Sequence, residues 1–170
     1  MPAEFTCEVF GDSHDASRFS SGQANLDDWL LKAARGSDGR NITRTYVWHR
    51  GDGTVLGFYA IMPYIIERDS LTRRQGRGLV DSIPCYLIAR LALDQALHGQ
   101  HLGAQLLLSA LMRIAQLSKA GGGRLAVVDA SNDRAVSFYV HHGFEQIEGR
   151  PDRLIFALRS LRDRLMAPSS

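Results

Sequence analysis

The stretch of this 170-residue chain best suited to hold a ligand is His98-Gly99-Gln100-His101-Leu102-Gly103-Ala104. It follows an apolar run from Tyr86 to Asp94 and leads into a segment whose apolar residues recur at helical spacing. A strand, a tight glycine-containing turn and a helix start make an anion site. The first N–H groups of a helix have no partner inside it, and the helix dipole places partial positive charge there. Glycine lets those amides come close to a phosphate. The turn is expected to hold a pyrophosphate. The other groups able to do chemistry are more scattered. Six histidines, His14, His49, His98, His101, His141 and His142, have no carboxylate or thiolate at ligand spacing, so no metal site is expected. Cys7 and Cys85 are too few for a disulfide framework and suit no metal motif, as in a reduced, cytoplasmic protein.

Composition sets the class of scaffold. With 45% apolar and 22% charged residues, the chain is an ordinary globular sequence, long enough for one domain with a real core, expected to span residues 1–170. No apolar run reaches the roughly 18 residues that span a bilayer. The first residues, Met1 to Glu8, lack the basic start and apolar core of a signal peptide. Membrane partners are therefore not expected. The net charge of +2 decides little, but its distribution is uneven. Residues 32–77 carry nine basic groups against four acidic ones, and that surplus suits either a polyanionic partner or a solvated arginine-rich surface.

The elements that must position the turn follow from residue patterns. Phe5 to Val9 reads as a short strand. Asn25 to Leu31 reads as a helix with an Asn or Ser cap and acids in its first turn. Gly36 to Asn41 reads as a loop. Thr43 to His49, the turn Gly51-Asp52-Gly53, and Thr54 to Tyr64 read as a hairpin. Glu67 to Ser82 is polar and reads as a loop, and Ile83 to Leu93 is a long strand with Pro84 at its start. A helix is expected over Ala104 to Ala120, ended by Gly121-Gly122-Gly123. Leu125 to Val128 is a short buried strand. Ser131-Asn132-Asp133 caps a further helix that Gly143 stops, and Leu154 to Leu158 is the last strand. Residues 167–170 are expected to fray. The strand–helix–strand unit at 86–128 predicts a parallel central pair in a mixed α/β sheet flanked by helices.

On these residues the chain resembles the GNAT superfamily of acyltransferases. Their turn reads Arg or Gln, two residues, Gly, one residue, then Gly or Ala, between a strand and a helix. Here Gly103 and Ala104 fit it, while His98 and His101 stand where Arg or Gln and the first Gly are usual. The segment Asn132 to Phe144, with its Asn, Ala135, Phe138-Tyr139 and Gly143-Phe144, resembles the second signature of that superfamily. Arg73-Arg74-Gln75-Gly76-Arg77-Gly78 fits the turn pattern letter for letter, but it is set aside. It precedes a strand entrance, Ile83-Pro84-Cys85-Tyr86, and not a helix. A narrower resemblance is to TacT-type toxins of type II toxin–antitoxin systems. It rests on Phe19-Ser20-Ser21-Gly22 with Leu26-Asp27-Asp28-Trp29-Leu30, on Arg44-Thr45-Tyr46-Val47, and on Ile83-Pro84 with Ala89-Arg90-Leu91-Ala92.

The resemblance implies a GNAT fold and a toxin that moves acetyl from acetyl-CoA to the α-amine of aminoacyl-tRNA, blocking translation. It further implies a ribbon-helix-helix antitoxin as partner and a homodimer. Leu91, Ala92 and Leu93 would run beside the pantetheine arm, where an exposed strand N–H polarises the thioester carbonyl. Gly99, Gln100, His101, Leu102, Gly103 and Ala104 would hold the pyrophosphate, and Asn132 would hydrogen-bond the pantetheine or serve only as a helix cap. Tyr139 matches the position of the general acid that protonates the leaving thiolate, and Phe138 suits the core better. No general base is marked. Lys32, Arg35, Arg40, Arg73, Arg74, Arg77 and Arg90 are candidates for the tRNA acceptor stem. Two other functions stay open on the residues: a GNAT enzyme acting on a small amine or protein terminus, and an inactive module that binds CoA or an antitoxin.

Overall fold

The computed structural model describes residues 4–166. Its strands are β1 (Thr6–Val9), β2 (Arg44–His49), β3 (Gly57–Glu67), β4 (Ser82–Leu93), β5 (Leu125–Asp129), β6 (Glu145–Ile147) and β7 (Arg150–Ala157). The helices are α1 (Ala24–Lys32), α2 (Ala34–Gly39), α3 (Leu102–Gly121), α4 (Asp133–His141) and α5 (Leu158–Met166). The strands form one mixed sheet in the order β1-β2-β3-β4-β5-β7-β6. This is the α/β class expected. β4 and β5 pair in parallel, with Tyr86 opposite Ala126, because the intervening α3 carries the chain back to start β5. Among the described residues, no helix is long and apolar enough to cross a membrane.

The chain divides into two compact units. The first comprises Met1–Met62 and Ala89–Ala110. Here β1, β2 and β3 run antiparallel, with Val47 opposite both Glu8 and Phe58. Its core gathers Phe10, Phe19, Leu30, Val47, Phe58 and Ala92, with Leu26 and Trp29 packed against it. Leu26 and Leu30 stand four apart, so α1 lays one apolar stripe on this cluster. The second unit comprises Pro63–Ile88 and Leu111–Ser170. Its core gathers Ile66, Ile83, Cys85, Leu125, Val127 and Ile155.

Several local expectations are corrected. Gln23, not Ser or Asn, is the N-cap of α1, and its side chain makes no cap bond. Ser21 instead faces Asp27 of the first turn: its hydroxyl donates to Oδ1 at 2.6 Å and its amide at 3.0 Å. The stretch read as a loop, Gly36 to Asn41, begins inside α2, which runs Ala34–Gly39. Its Asp38 is buried, yet fully engaged: it accepts from the Thr43 hydroxyl at 2.7 Å and from the Thr45 amide and hydroxyl, both at 3.0 Å. A buried carboxylate so satisfied holds a short, glycine-rich helix that propensity alone would not form. The last strand is longer than expected, with β6 beside it and α5 after it. The fraying expected at 167–170 lies outside the described residues.

Candidate functional site

The turn after β4 has the setting its sequence implies. β4 ends at Leu93, a short 3-10 turn covers Gln95–Leu97, and α3 opens at Leu102. Gly99 and His101 both take positive φ, 78° and 60°. For a residue with a side chain that conformation costs about 1–2 kcal/mol, which explains why glycine is usual where His101 stands. The His101 ring is exposed, so it meets no packing conflict there. Around Gly99, nothing lies within 4 Å of where a Cβ would be, so the backbone is open to a ligand.

Within the same unit the turn is braced from two directions. Asp94 caps the 3-10 turn: its carboxylate accepts from the Ala96 amide at 2.9 Å and from the Ser20 amide at 3.1 Å. The Gln95 amide returns a bond to the Ser20 carbonyl at 2.8 Å. Gly22, at φ 90°, passes so close that a Cβ would sit 2.6 Å from Gln95 Nε2. The Ser20-Ser21-Gly22 element thus has a physical task, which is to dock on the start of the turn. The pairing of Asp94 with Ser20 was not expected from the sequence. The only signal for it was the Ser-Ser-Gly run itself. His98 adds a third brace. Its Nε2 donates to the Leu93 carbonyl at 2.9 Å; a carbonyl only accepts, so the ring proton sits on Nε2.

The cofactor candidates on β4 differ in burial: Leu91 is half-buried, while Ala92 and Leu93 are buried. Their neighbour Arg90 places its guanidinium 5.2 Å from the centre of the Trp29 ring, and Trp29 stacks on Phe58. A cation over an indole face is favourable and holds Arg90 along the sheet.

Asn132 and Tyr139 belong to the second unit. Asn132 is the N-cap of α4, its Oδ1 accepting from the Ala135 amide at 2.8 Å. Tyr139 lies near the end of that helix. Its ring meets Phe138 and Phe144 edge-on, each at 5.3 Å between centroids. The expectation that Phe138 is the core residue of the pair is reversed: Tyr139 is 9% exposed and Phe138 is half-buried. The turn of α4 brings Tyr139, and not its neighbour, onto Phe144. Burial pushes the phenol up to about 12, so it is held protonated at neutral pH.

The basic candidates separate by unit. Lys32, Arg35, Arg40 and Arg90 fall in the first, and Arg73, Arg74 and Arg77 in the second. Arg35 pairs with Asp12 at 2.7 Å, Lys32 with Asp28 at 3.7 Å, and Arg74 with Glu145. The Arg40 Nε donates to the Gly36 carbonyl of α2. The competing glycine stretch, Arg73 to Gly78, sits in turns between Ser70 and β4 and opens no helix.

One cluster was invisible along the sequence. Glu8, His14 and His49 converge, with the ligand atoms within 4.8 Å of one another, so a carboxylate does stand beside two histidines. The Nδ1 of His14 accepts from the Gly11 amide at 2.9 Å, and that of His49 from the Gly51 amide at 3.0 Å. An amide can only donate, so both rings carry their proton on Nε2 and donate it to Glu8 Oε1, at 2.8 and 2.5 Å. A ring in that tautomer has no Nε2 lone pair for a cation. The cluster is a hydrogen-bonded tie between β1, β2 and the loop from Gly11. Its carboxylate is held below the usual range by the His14 and His49 bonds.

Comparison with known proteins places this arrangement. The acetyltransferase (GNAT) domain family matches residues 41–146. A tRNA-acetylating toxin of Mycobacterium tuberculosis is 36% identical over 89% of this chain and 90% of its own length. A probable toxin TacT of Sinorhizobium fredii is 31% identical over 88% of each chain. Among solved structures, AtaT complexed with acetyl-methionyl-tRNAfMet superposes with a TM-score of 0.88, at 28% identity, covering 95% of this chain and 99% of that one. A tyrosine-to-phenylalanine variant of AtaT, bound to the C-terminus of the antitoxin AtaR and to acetyl-CoA, superposes at 0.83 and 27% identity, covering 96% and 99%.

Proposed function

The chain belongs to the GNAT acetyltransferases and, within them, to the TacT-type toxins; we propose that it moves the acetyl group of acetyl-CoA onto the α-amine of an aminoacyl-tRNA and thereby blocks translation. The whole chain, residues 1–170, acts as one acetyltransferase domain. The observation that carries the reading is the run from β4 through the turn into α3. Its exposed glycine turn and helix start offer a pyrophosphate cradle, braced by Asp94, Ser20 and His98.

Each residue then has a task. Gly99 to Ala104, that is Gly99, Gln100, His101, Leu102, Gly103 and Ala104, hold the pyrophosphate through backbone N–H groups. Leu91, Ala92 and Leu93 align the pantetheine, and Asn132 offers its amide nitrogen while Oδ1 caps α4. Acetyl-CoA supplies an activated thioester. As the aminoacyl nitrogen bonds to the acetyl carbon and the carbon–sulfur bond breaks, Tyr139 gives its phenolic proton to the departing sulfur. The amine loses its surplus proton to water, which needs no strong base because an aminoacyl ester amine is weakly basic. Lys32, Arg35, Arg40, Arg73, Arg74, Arg77 and Arg90 contact the phosphates of the acceptor stem, with Lys32, Arg35 and Arg74 giving up carboxylate partners to do so. Such contacts weaken as salt rises and carry no sequence information.

The toxin works in the cytoplasm, where charged tRNA is, as a homodimer held in check by an antitoxin of the ribbon-helix-helix type. AtaT bound to AtaR supports a protein antitoxin. The test is to mix the protein with labelled acetyl-CoA and a pool of charged tRNAs. Label is expected in aminoacyl-tRNA and absent with Tyr139→Phe. Label that goes only to a small amine or a protein terminus would move the assignment to an ordinary GNAT enzyme.

A further inference from the structure

We propose that the second unit carries a docking pocket for a short acidic peptide with aliphatic side chains, supplied by a protein partner. The pocket is a cavity of about 540 Å³ at the end of α3, beside the start of β5 and the junction of β7 with α5. Four cations stand in its wall: Arg77, Lys119, Arg124 and Arg159. Among the described residues, none of the four is within ion-pair reach of a carboxylate, and no carboxylate lines the cavity. By contrast, Arg74, Arg68 and Arg153 of the same unit all have acidic partners. Four like charges left together around one cavity repel one another, and an anion relieves that repulsion.

The floor decides which anion. Leu79, Leu125, Leu158 and Leu161 line it too, Leu125 and Leu161 buried while the four cations are exposed. Phosphates gain nothing from an aliphatic floor. A nucleic acid that left its backbone for such a pocket would stack bases on aromatic rings, and no aromatic lines this one. A peptide whose aliphatic side chains fill the floor while its carboxylates meet the rim matches both parts, as the core and rim of a protein interface do. Arg77 is shared with the acceptor-stem assignment above, but Lys119, Arg124 and Arg159 have no part in it, so changes at those three test the pocket apart from that chemistry.

The experiment titrates the full-length chain against a fluorescein-labelled octapeptide of four glutamates and four leucines, read by anisotropy. The controls are the same peptide with serines for leucines and an RNA octamer. Saturable binding of the glutamate–leucine peptide is expected, weakened about tenfold by Lys119→Glu with Arg124→Glu. Arg159→Glu alone, on α5, is expected to weaken it in the same direction. Acetyl transfer by these variants is expected to stay at the wild-type rate, which reports that they fold. Failure of the peptide to bind would overturn the proposal. So would equal binding of the serine peptide, tighter binding of the RNA, or indifference to both sets of charge reversals.

Discussion

The Nε2 of His98 lies 2.9 Å from the carbonyl oxygen of Leu93, closing the turn that follows β4 back onto the end of the strand. A histidine thus does by hydrogen bonding what shapes the loop around a cradle of amides. Removing it is expected to weaken acetyl-CoA binding about three- to tenfold, the worth of one hydrogen bond of roughly 1 kcal/mol, with kcat changed little. His98→Gln keeps a donor and is expected to keep affinity. Calorimetric titration of His98→Ala and His98→Gln with acetyl-CoA checks both.

Tyr139→Phe is expected to lower kcat by about 10² to 10⁴ while acetyl-CoA binds as before. A phenol pushed up to about 12 stays protonated at neutral pH, so a fall of kcat between pH 8 and 10 would have to come from another group. The same shift touches stability. The unfolded phenol titrates near 10, so its contribution to folding is complete below about pH 10 and is lost as pH rises through about 12. Tyr139→Phe is expected to flatten the alkaline end of the unfolding profile.

His101 tests the backbone of the turn. His101→Gly is expected to preserve or raise affinity for acetyl-CoA, because the N–H group and not the ring holds the phosphate. His101→Val is expected to destabilise the fold by about 1–2 kcal/mol, since a β-branched residue tolerates φ of 60° worst. A large loss of affinity in the glycine variant would make the ring a ligand.

Asp129 at the end of β5 receives two bonds from Arg153, at 2.7 and 2.8 Å, and that pairing holds its carboxyl below the usual range. A lowered folded value stabilises above the unfolded one, near 4, and the gain is lost as pH falls through the folded one. Asp129→Asn is expected to lower Tm by roughly 2–4 °C at neutral pH, after allowing for its partial exposure. The gap to wild type should close below about pH 4 in thermal melts.

The two thiols should react unequally. Cys85 is 3% exposed, and burial pushes its thiol up to about 11, so it stays an unreactive SH at pH 8. Cys7 is half-buried. One thiol is expected to titrate with a disulfide reagent in native protein, and the second only after unfolding.

Features set by neighbours along the chain were readable in the sequence. The strand–turn–helix around His98 and the cap Asn132 follow from local residue types, and the parallel β4–β5 pair follows from the length of the connection between them. What was hidden depends on partners far away. α2 hangs on Asp38 meeting Thr43 and Thr45 beyond it. β6 is three residues long and exists only because β7 pairs with it. Ser20 meets Asp94 across 74 positions, and Glu8 meets His49 across 41. The rank of Tyr139 over Phe138 in burial depends on what each ring meets in the fold, Phe144 for Tyr139 and His142 for Phe138.

The interleaving of the two units bears on when this protein becomes dangerous to the cell that makes it. Met1–Met62 waits for Ala89–Ala110, and Pro63–Ile88 waits for the stretch after Leu111. α4, with Tyr139, packs on β6 and β7, which are made after it. The first unit is complete once Ala110 has been made, but Tyr139 finds its β6 and β7 partners only after Ala157, so the nascent chain is inert until that stretch has emerged, because domains fold as units. A toxin that stops translation is thereby armed only once β7 has left the ribosome.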